Sequence, residues 1–176
     1  MNTIIKTTLF SAFLLNALPS YSQTCNSTVA LSTPTNQFTL NTNGTVTDNK
    51  TELTWMRCSL GQTWSESDSN CTGTATLHTW EGALVIATKT SFAQQSDWRL
   101  PNIKELASIV ERRCYSPAIN ATVFPNTTSS YYWSSSPGAS SSNGARLVRF
   151  HYGFDYSYSS SNEGGNPYVR LVRGGQ

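Results

Sequence analysis

Four cysteines, Cys25, Cys58, Cys71 and Cys114, all downstream of an N-terminal apolar run, constrain this chain more than any other feature. In that run Lys6 precedes the apolar residues 9–18, and the small residues Ser20 and Ser22 follow. Charged, apolar, then small is the order of a secretory signal peptide. The run is too short to cross a bilayer as a helix and nothing later approaches the required length, so cleavage near residue 22 and no membrane anchor are expected. An even number of cysteines delivered to an oxidising compartment predicts two disulfides. Three pairings exist. The segment between Cys58 and Cys71 holds Gly61, Ser65, Asp68 and Asn70 and is expected to order itself poorly, which favours Cys58 with Cys71 and leaves Cys25 with Cys114. Zinc is not expected, because no Cys-x-x-Cys spacing exists and His78 and His151 are the only histidines.

Residues 1–22 thus read as the signal peptide, 23–44 as an N-terminal arm with a first strand, and 45–176 as one domain. Charged residues make up 12% of the chain, about half the usual share. Such a surface is solvated by neutral hydroxyl and amide groups. No fixed repeat is present, so solenoids and propellers are set aside.

Along the chain, 27–36 is a polar lead-in, 38–40 a short strand, and 45–47 with 53–56 a hairpin rich in strand-formers. Thr79 can cap a first helix in which Trp80, Ala83, Leu84 and Ala87 share one face. Asn102, with Glu105 three residues on, opens a second helix after Pro101, expected to run to about Arg113 with Leu106, Ile109 and Val110 inward. Further strands are expected at 131–135, 145–151 and 168–173, with loops at 134–144 and 153–166. Strands, two central helices, then loop-rich strands give an α+β domain.

Three ordered motifs sharpen that reading: Trp98-Arg99-Leu100-Pro101-Asn102 with Glu105-Leu106, Tyr132-Trp133-Ser134-Ser135-Ser136, and Tyr168-Val169-Arg170-Leu171-Val172-Arg173-Gly174-Gly175. With them the chain, from about residue 45, resembles the Lcl C-terminal domain family, the globular domain of a bacterial collagen-like adhesin. That family is similar in turn to the C-type-lectin-like fold shared with formylglycine-generating enzymes. The resemblance implies short twisted antiparallel sheets, two helices and a long loop-rich C-terminal half. It also implies binding of sulfated glycosaminoglycans and trimerisation, as in the adhesin, although no Gly-X-Y stretch is present here to supply a stalk. The catalytic cysteines of the formylglycine-generating enzymes lie beyond the Arg-Gly-Gly motif and have no counterpart in this sequence, so their oxidase activity does not carry over.

Trp98, Leu100 and Trp133 read as core, and Arg99 as a partner for nearby carbonyls or a carboxylate. The stretch 150–158 holds more aromatics beside Gly and Ser than a plain loop needs, and Tyr with Ser, Gly and Asn is the composition of binding loops. From Arg99 onward eight Lys or Arg face four acids, and Arg146, Arg149, Arg170 and Arg173 fall on the final strands, where guanidinium suits sulfate or carboxylate. Arg146, Arg149, Tyr152, Asp155, Tyr156 and Tyr158 are therefore the expected ligand-binding residues. Asp155, Asn162, Glu163 and Asn166 form a loose oxygen set without a calcium-site signature, and no metal or cofactor is expected. No Gly-x-Ser-x-Gly elbow supports a hydrolase built on His78 or His151. The expectation is a secreted, periplasmic or cell-surface module that is not an enzyme and recognises a glycan or other cell-surface ligand. No nucleic-acid partner and no membrane insertion are expected, and homo-oligomerisation stays open. The alternatives are a subunit of a surface appendage and, behind it, a cryptic hydrolase.

Overall fold

The computed structural model describes residues 22–138, 144–158 and 166–174. Strand β1 (Thr24–Cys25) is followed by a 3-10 turn (Thr35–Gln37), β2 (Phe38–Leu40), β3 (Thr45–Asp48) and β4 (Leu53–Met56). Next come β5 (Thr63–Ser65), β6 (Asn70–Thr72), α1 (Trp80–Lys89) and α2 (Ile103–Ser108). The remaining strands are β7 (Cys114–Tyr115), β8 (Tyr131–Pro137), β9 (Ala145–Arg149), β10 (Phe154–Tyr158) and β11 (Val172–Arg173). They form a four-stranded sheet β11-β4-β3-β2, a three-stranded sheet β10-β9-β8 and two small pairs, β1-β7 and β5-β6, all antiparallel. The architecture is α+β, as the sequence predicts.

Period-2 alternation explains how one sheet serves two cores. On β8 and β9, Tyr132 lies opposite Val148 and both join the cluster of Val46, Trp55, Leu106, Ile109, Phe124 and Phe150. Their neighbours Trp133 and Leu147, also opposite each other, point the other way and join Met56, Ala83, Ala87, Trp98, Leu100 and Leu171. Helix α1 buries Ala83 and Ala87, and Thr79 Oγ1 caps it by accepting from the Gly82 amide at 3.1 Å. At α2 the capping box is complete, with Asn102 Oδ1 accepting from the Glu105 amide and Glu105 Oε2 from the Asn102 amide.

Both predicted disulfides are present, Cys25 with Cys114 and Cys58 with Cys71. At sequence separations of 89 and 13, the chain-entropy model assigns them about 4.5 and about 3 kcal/mol. The first fixes β1 against β7. The segment within the second is ordered, contrary to expectation, because β5 and β6 pair with Trp64 opposite Cys71.

Other boundaries differ from expectation too: β8 runs on to Pro137 and β9 stops at Arg149 rather than 151. Helix α2 stops at Ser108 rather than near Arg113: Ile109 leaves helical geometry at ψ 7°, and Val110 instead bridges Ile119, which brings Cys114 to Cys25. The segment 168–173 is a ladder strand only at β11, because its earlier residues lie between two sheets. Tyr168 O accepts from the Trp133 amide on one side, while Val169 O and Leu171 O accept from the amides of Leu60 and Met56 on the other. Within the expected loop 153–166, residues 154–158 form β10, which pairs with all five residues of β9 after a turn at Gly153, whose φ is +77°.

Arg170, expected among surface cations, is fully buried. Its Nη1 donates to the carbonyls of Met56 and Arg57, and its Nη2 to Thr127 Oγ1 at 2.7 Å and Ser59 Oγ at 3.3 Å. The guanidinium lies over Phe124 at 4.9 Å. Burial pushes its pKa down to about 10. Arg170 therefore pins the C-terminal segment to the end of β4 and is withdrawn from any surface role.

Candidate functional site

The sheet β10-β9-β8 positions most of the residues expected to bind ligand. Register places Tyr131, Arg149 and Phe154 in one row, and the buried Trp133 and Leu147 with Tyr156 in the next row on the same face. Arg149 carries its guanidinium 5.3 Å from the ring centre of Tyr131 and 5.3 Å from that of Tyr152. Tyr131 meets Tyr156 edge-on at 6.0 Å, and Tyr152 meets His151 edge-on at 4.1 Å. Tyr152, Phe154 and Tyr156 are 50%, 58% and 40% exposed, far more than aromatics that serve only a core.

The six expected residues divide. Arg149, Tyr152 and Tyr156 belong to this aromatic array. Arg146 and Asp155 stand on the opposite face of the sheet and form an ion pair with each other. Tyr158 packs its ring edge-on against Trp133 at 5.0 Å and is half-buried. Of the other cations on the final strands, Arg173 pairs with Asp97 at 2.7 Å, which leaves Arg149 without an ion pair among the described residues. Sequence reasoning missed Phe154 and Tyr131. The alternation Phe154-Asp155-Tyr156-Ser157-Tyr158 carries the strand signal that would have found Phe154.

The other candidate chemistry is less developed. His151 Nδ1 lies 2.9 Å from Ser129 Oγ and 3.2 Å from Ser116 Oγ, beside a cleft of about 430 Å³. Two hydroxyls share one ring nitrogen, and no carboxylate orients the ring among the described residues, so the geometry is not that of a nucleophile–base–acid relay. His78 binds Thr76 Oγ1 at 2.8 Å, and burial lowers its pKa. Asn162 and Glu163 of the oxygen set lie outside the described residues, and no group of three or more His, Cys, Asp or Glu among the described residues could hold a metal.

The motif that opens α2 is now fully placed. Arg99 reaches both oxygens of Glu105, at 2.8 and 2.7 Å, and donates also to Gly174 O, so the first and last of the three sequence motifs are in contact. A model of the Lcl C-terminal domain matches residues 44–173. The chain belongs to the Lcl C-terminal domain family. Curated proteins and solved structures gave no match. In this Lcl C-terminal domain the motif Trp98-Arg99-Leu100-Pro101-Asn102 is a fold device, since Trp98 and Leu100 are buried and Arg99 ties the helix start to the C-terminal strand. Family and disulfides together fit a secreted domain of a surface-associated protein. Among the described residues no helix is long and apolar enough to cross a membrane.

Proposed function

We propose that this Lcl C-terminal domain is an exported, non-catalytic, adhesin-like module that recognises glycans, anionic ones included, at the open edge of the β10-β9-β8 sheet. The observation that carries the reading is the exposed array of Tyr152, Phe154 and Tyr156 around Arg149. Aromatic faces pack on sugar C–H surfaces, and a guanidinium among them with no ion pair among the described residues selects a sulfate or carboxylate substituent. The small antiparallel sheets, two helices and disulfide-stapled N-terminal arm suit a C-type-lectin-like framework, in which rigid strands carry the binding edge. The apolar run after Lys6 supports export through a cleaved signal peptide.

A glycan array probed at low and high salt tests this. Retention on sulfated glycans that saturates, weakens with salt and falls in Tyr156→Ala is the expected result. Retention that ignores Tyr156→Ala and Arg149→Ala alike would remove the sheet edge as the site, and no retention on any glycan would remove the function.

A further inference from the structure

A second cleft, of about 590 Å³, shares no lining residue with the aromatic array; its walls include Asn41, Arg57, Trp64, Glu66, Asn70 and Thr122. Its parts are fixed from several sides. The disulfide Cys58–Cys71 closes the hairpin that carries Trp64, and Trp64 Nε1 donates to Thr42 O at 2.7 Å. Gly44 lets the indole approach, since a Cβ there would stand 2.6 Å from Trp64 Cγ. Arg57 donates through Nε to Val123 O and through Nη2 to Thr122 O, both at 2.9 Å, with its guanidinium 4.2 Å from the Trp64 ring centre. Asn126 donates to Cys71 O and accepts from Gln62 Nε2, joining the far wall to the hairpin.

What the fold leaves unused there is a matched set of donors and an acceptor. Arg57 Nη1 has no hydrogen-bond partner among the described residues, its other donors being held by Val123 O and Thr122 O. Asn70 spends Oδ1 on the Cys71 amide at 2.8 Å, and its Nδ2 bonds nothing within the described chain. The carboxylate of Glu66 is exposed and makes neither hydrogen bond nor ion pair there. A preorganised indole with two donors and one acceptor suits vicinal hydroxyls, each of which both donates and accepts. The carboxylate disfavours a sulfated ring.

We propose that this cleft is a second ligand site, which binds a neutral pyranose unit against Trp64, with Arg57 and Asn70 donating to ring hydroxyls and Glu66 accepting from one. The site is independent of the sheet edge. It gives the domain one contact for a neutral residue and another for a charged one.

The test is an NMR titration of the isotope-labelled, disulfide-intact protein with glucose, galactose, mannose and N-acetylglucosamine, following the indole N–H signal of Trp64. The expected result is a saturable, salt-insensitive shift with at least one of these sugars. Glu66→Ala and Asn70→Ala should each weaken binding at least about tenfold with the remaining spectrum unchanged. Arg149→Ala should leave the titration intact, which separates this site from the sheet edge. The proposal is overturned if none of the four sugars moves the Trp64 signal, if Glu66→Ala and Asn70→Ala titrate like the parent, or if Arg149→Ala abolishes the shift.

Discussion

One oxygen of Glu111 accepts both the amide of Thr33, at 2.8 Å, and the hydroxyl of Thr33, at 2.9 Å. The other oxygen accepts from the Ser32 amide and hydroxyl and from the Arg113 amide, so a buried carboxylate with no ion pair among the described residues holds the N-terminal arm. Burial alone would raise the pKa of Glu111, but these hydrogen bonds outweigh it and bring the value down. A depressed folded-state pKa contributes stability that is fully present above the unfolded value of about 4.3 and disappears as pH falls through the lowered folded value. Glu111→Gln should cost about 1–3 kcal/mol at neutral pH, by urea denaturation, and should flatten the acid limb of the stability profile. Amide exchange at Ser32 and Thr33 should accelerate even though Cys25–Cys114 keeps the arm attached. Unchanged exchange there would show that the arm is held by other contacts.

Arg170→Ala should be the most damaging single substitution outside the apolar core. It strips partners from the carbonyls of Met56 and Arg57 and from the hydroxyls of Ser59 and Thr127 in one step. A loss above about 3 kcal/mol is expected, within the range for breaking a buried polar network. Arg170→Lys should rescue little, because an ammonium on a flexible stem cannot span acceptors that a planar fork reaches together. Stability close to the parent in Arg170→Lys would show that charge, not geometry, is what the site requires.

Glu105 serves two structures at once, the capping box of α2 and the paired contact with Arg99. Burial raises its pKa, and the hydrogen bonds from Arg99 and Asn102 lower it by more, for a net depression. Its contribution is therefore also present above the ordinary carboxylate range and lost on acidification. Glu105→Ala should cost about 1–2 kcal/mol. A double-mutant cycle with Arg99→Ala should reveal coupling; purely additive losses would confine Glu105 to capping.

The parts of this fold that could be read in advance are those whose cause is local. The Asn102–Glu105 capping box, the helix face of Trp80, Ala83, Leu84 and Ala87, and the pairing of Cys58 with Cys71 each follow from residues close together in the chain. The parts that could not be read depend on distant partners. Helix α2 ends early because Val110 meets Ile119, and nothing in residues 103–113 announces that pairing. Arg170 looks like a surface cation on a strand until the carbonyls of Met56 and Arg57 are brought around it. The candidate site was half legible: Tyr152, Tyr156 and Arg149 converge, but the Ser- and Gly-rich composition of 151–166 concealed β10 and with it Phe154. Strand register then decided which face each residue takes, separating Arg146 and Asp155 from the others.

That separation makes the two arginines of β9 unequal. Arg146 is satisfied by Asp155, and an exposed ion pair of this kind adds little to stability. An anion approaching Arg146 must compete with a carboxylate already in place. Arg149 has no such competitor among the described residues, and its guanidinium stands 5.3 Å from the ring centres of both Tyr131 and Tyr152. Arg149→Ala should therefore reduce retention on a sulfated glycan about tenfold or more and shallow its salt dependence, with the melting temperature nearly unchanged. Arg146→Ala should do much less, and Asp155→Ala, which frees Arg146, should increase retention if it changes it at all. Equal losses from Arg146→Ala and Arg149→Ala would mean that the ion pair opens on binding and that both faces of the sheet meet the ligand. A fall in melting temperature without a fall in retention for Arg149→Ala would reduce the array to a packing motif.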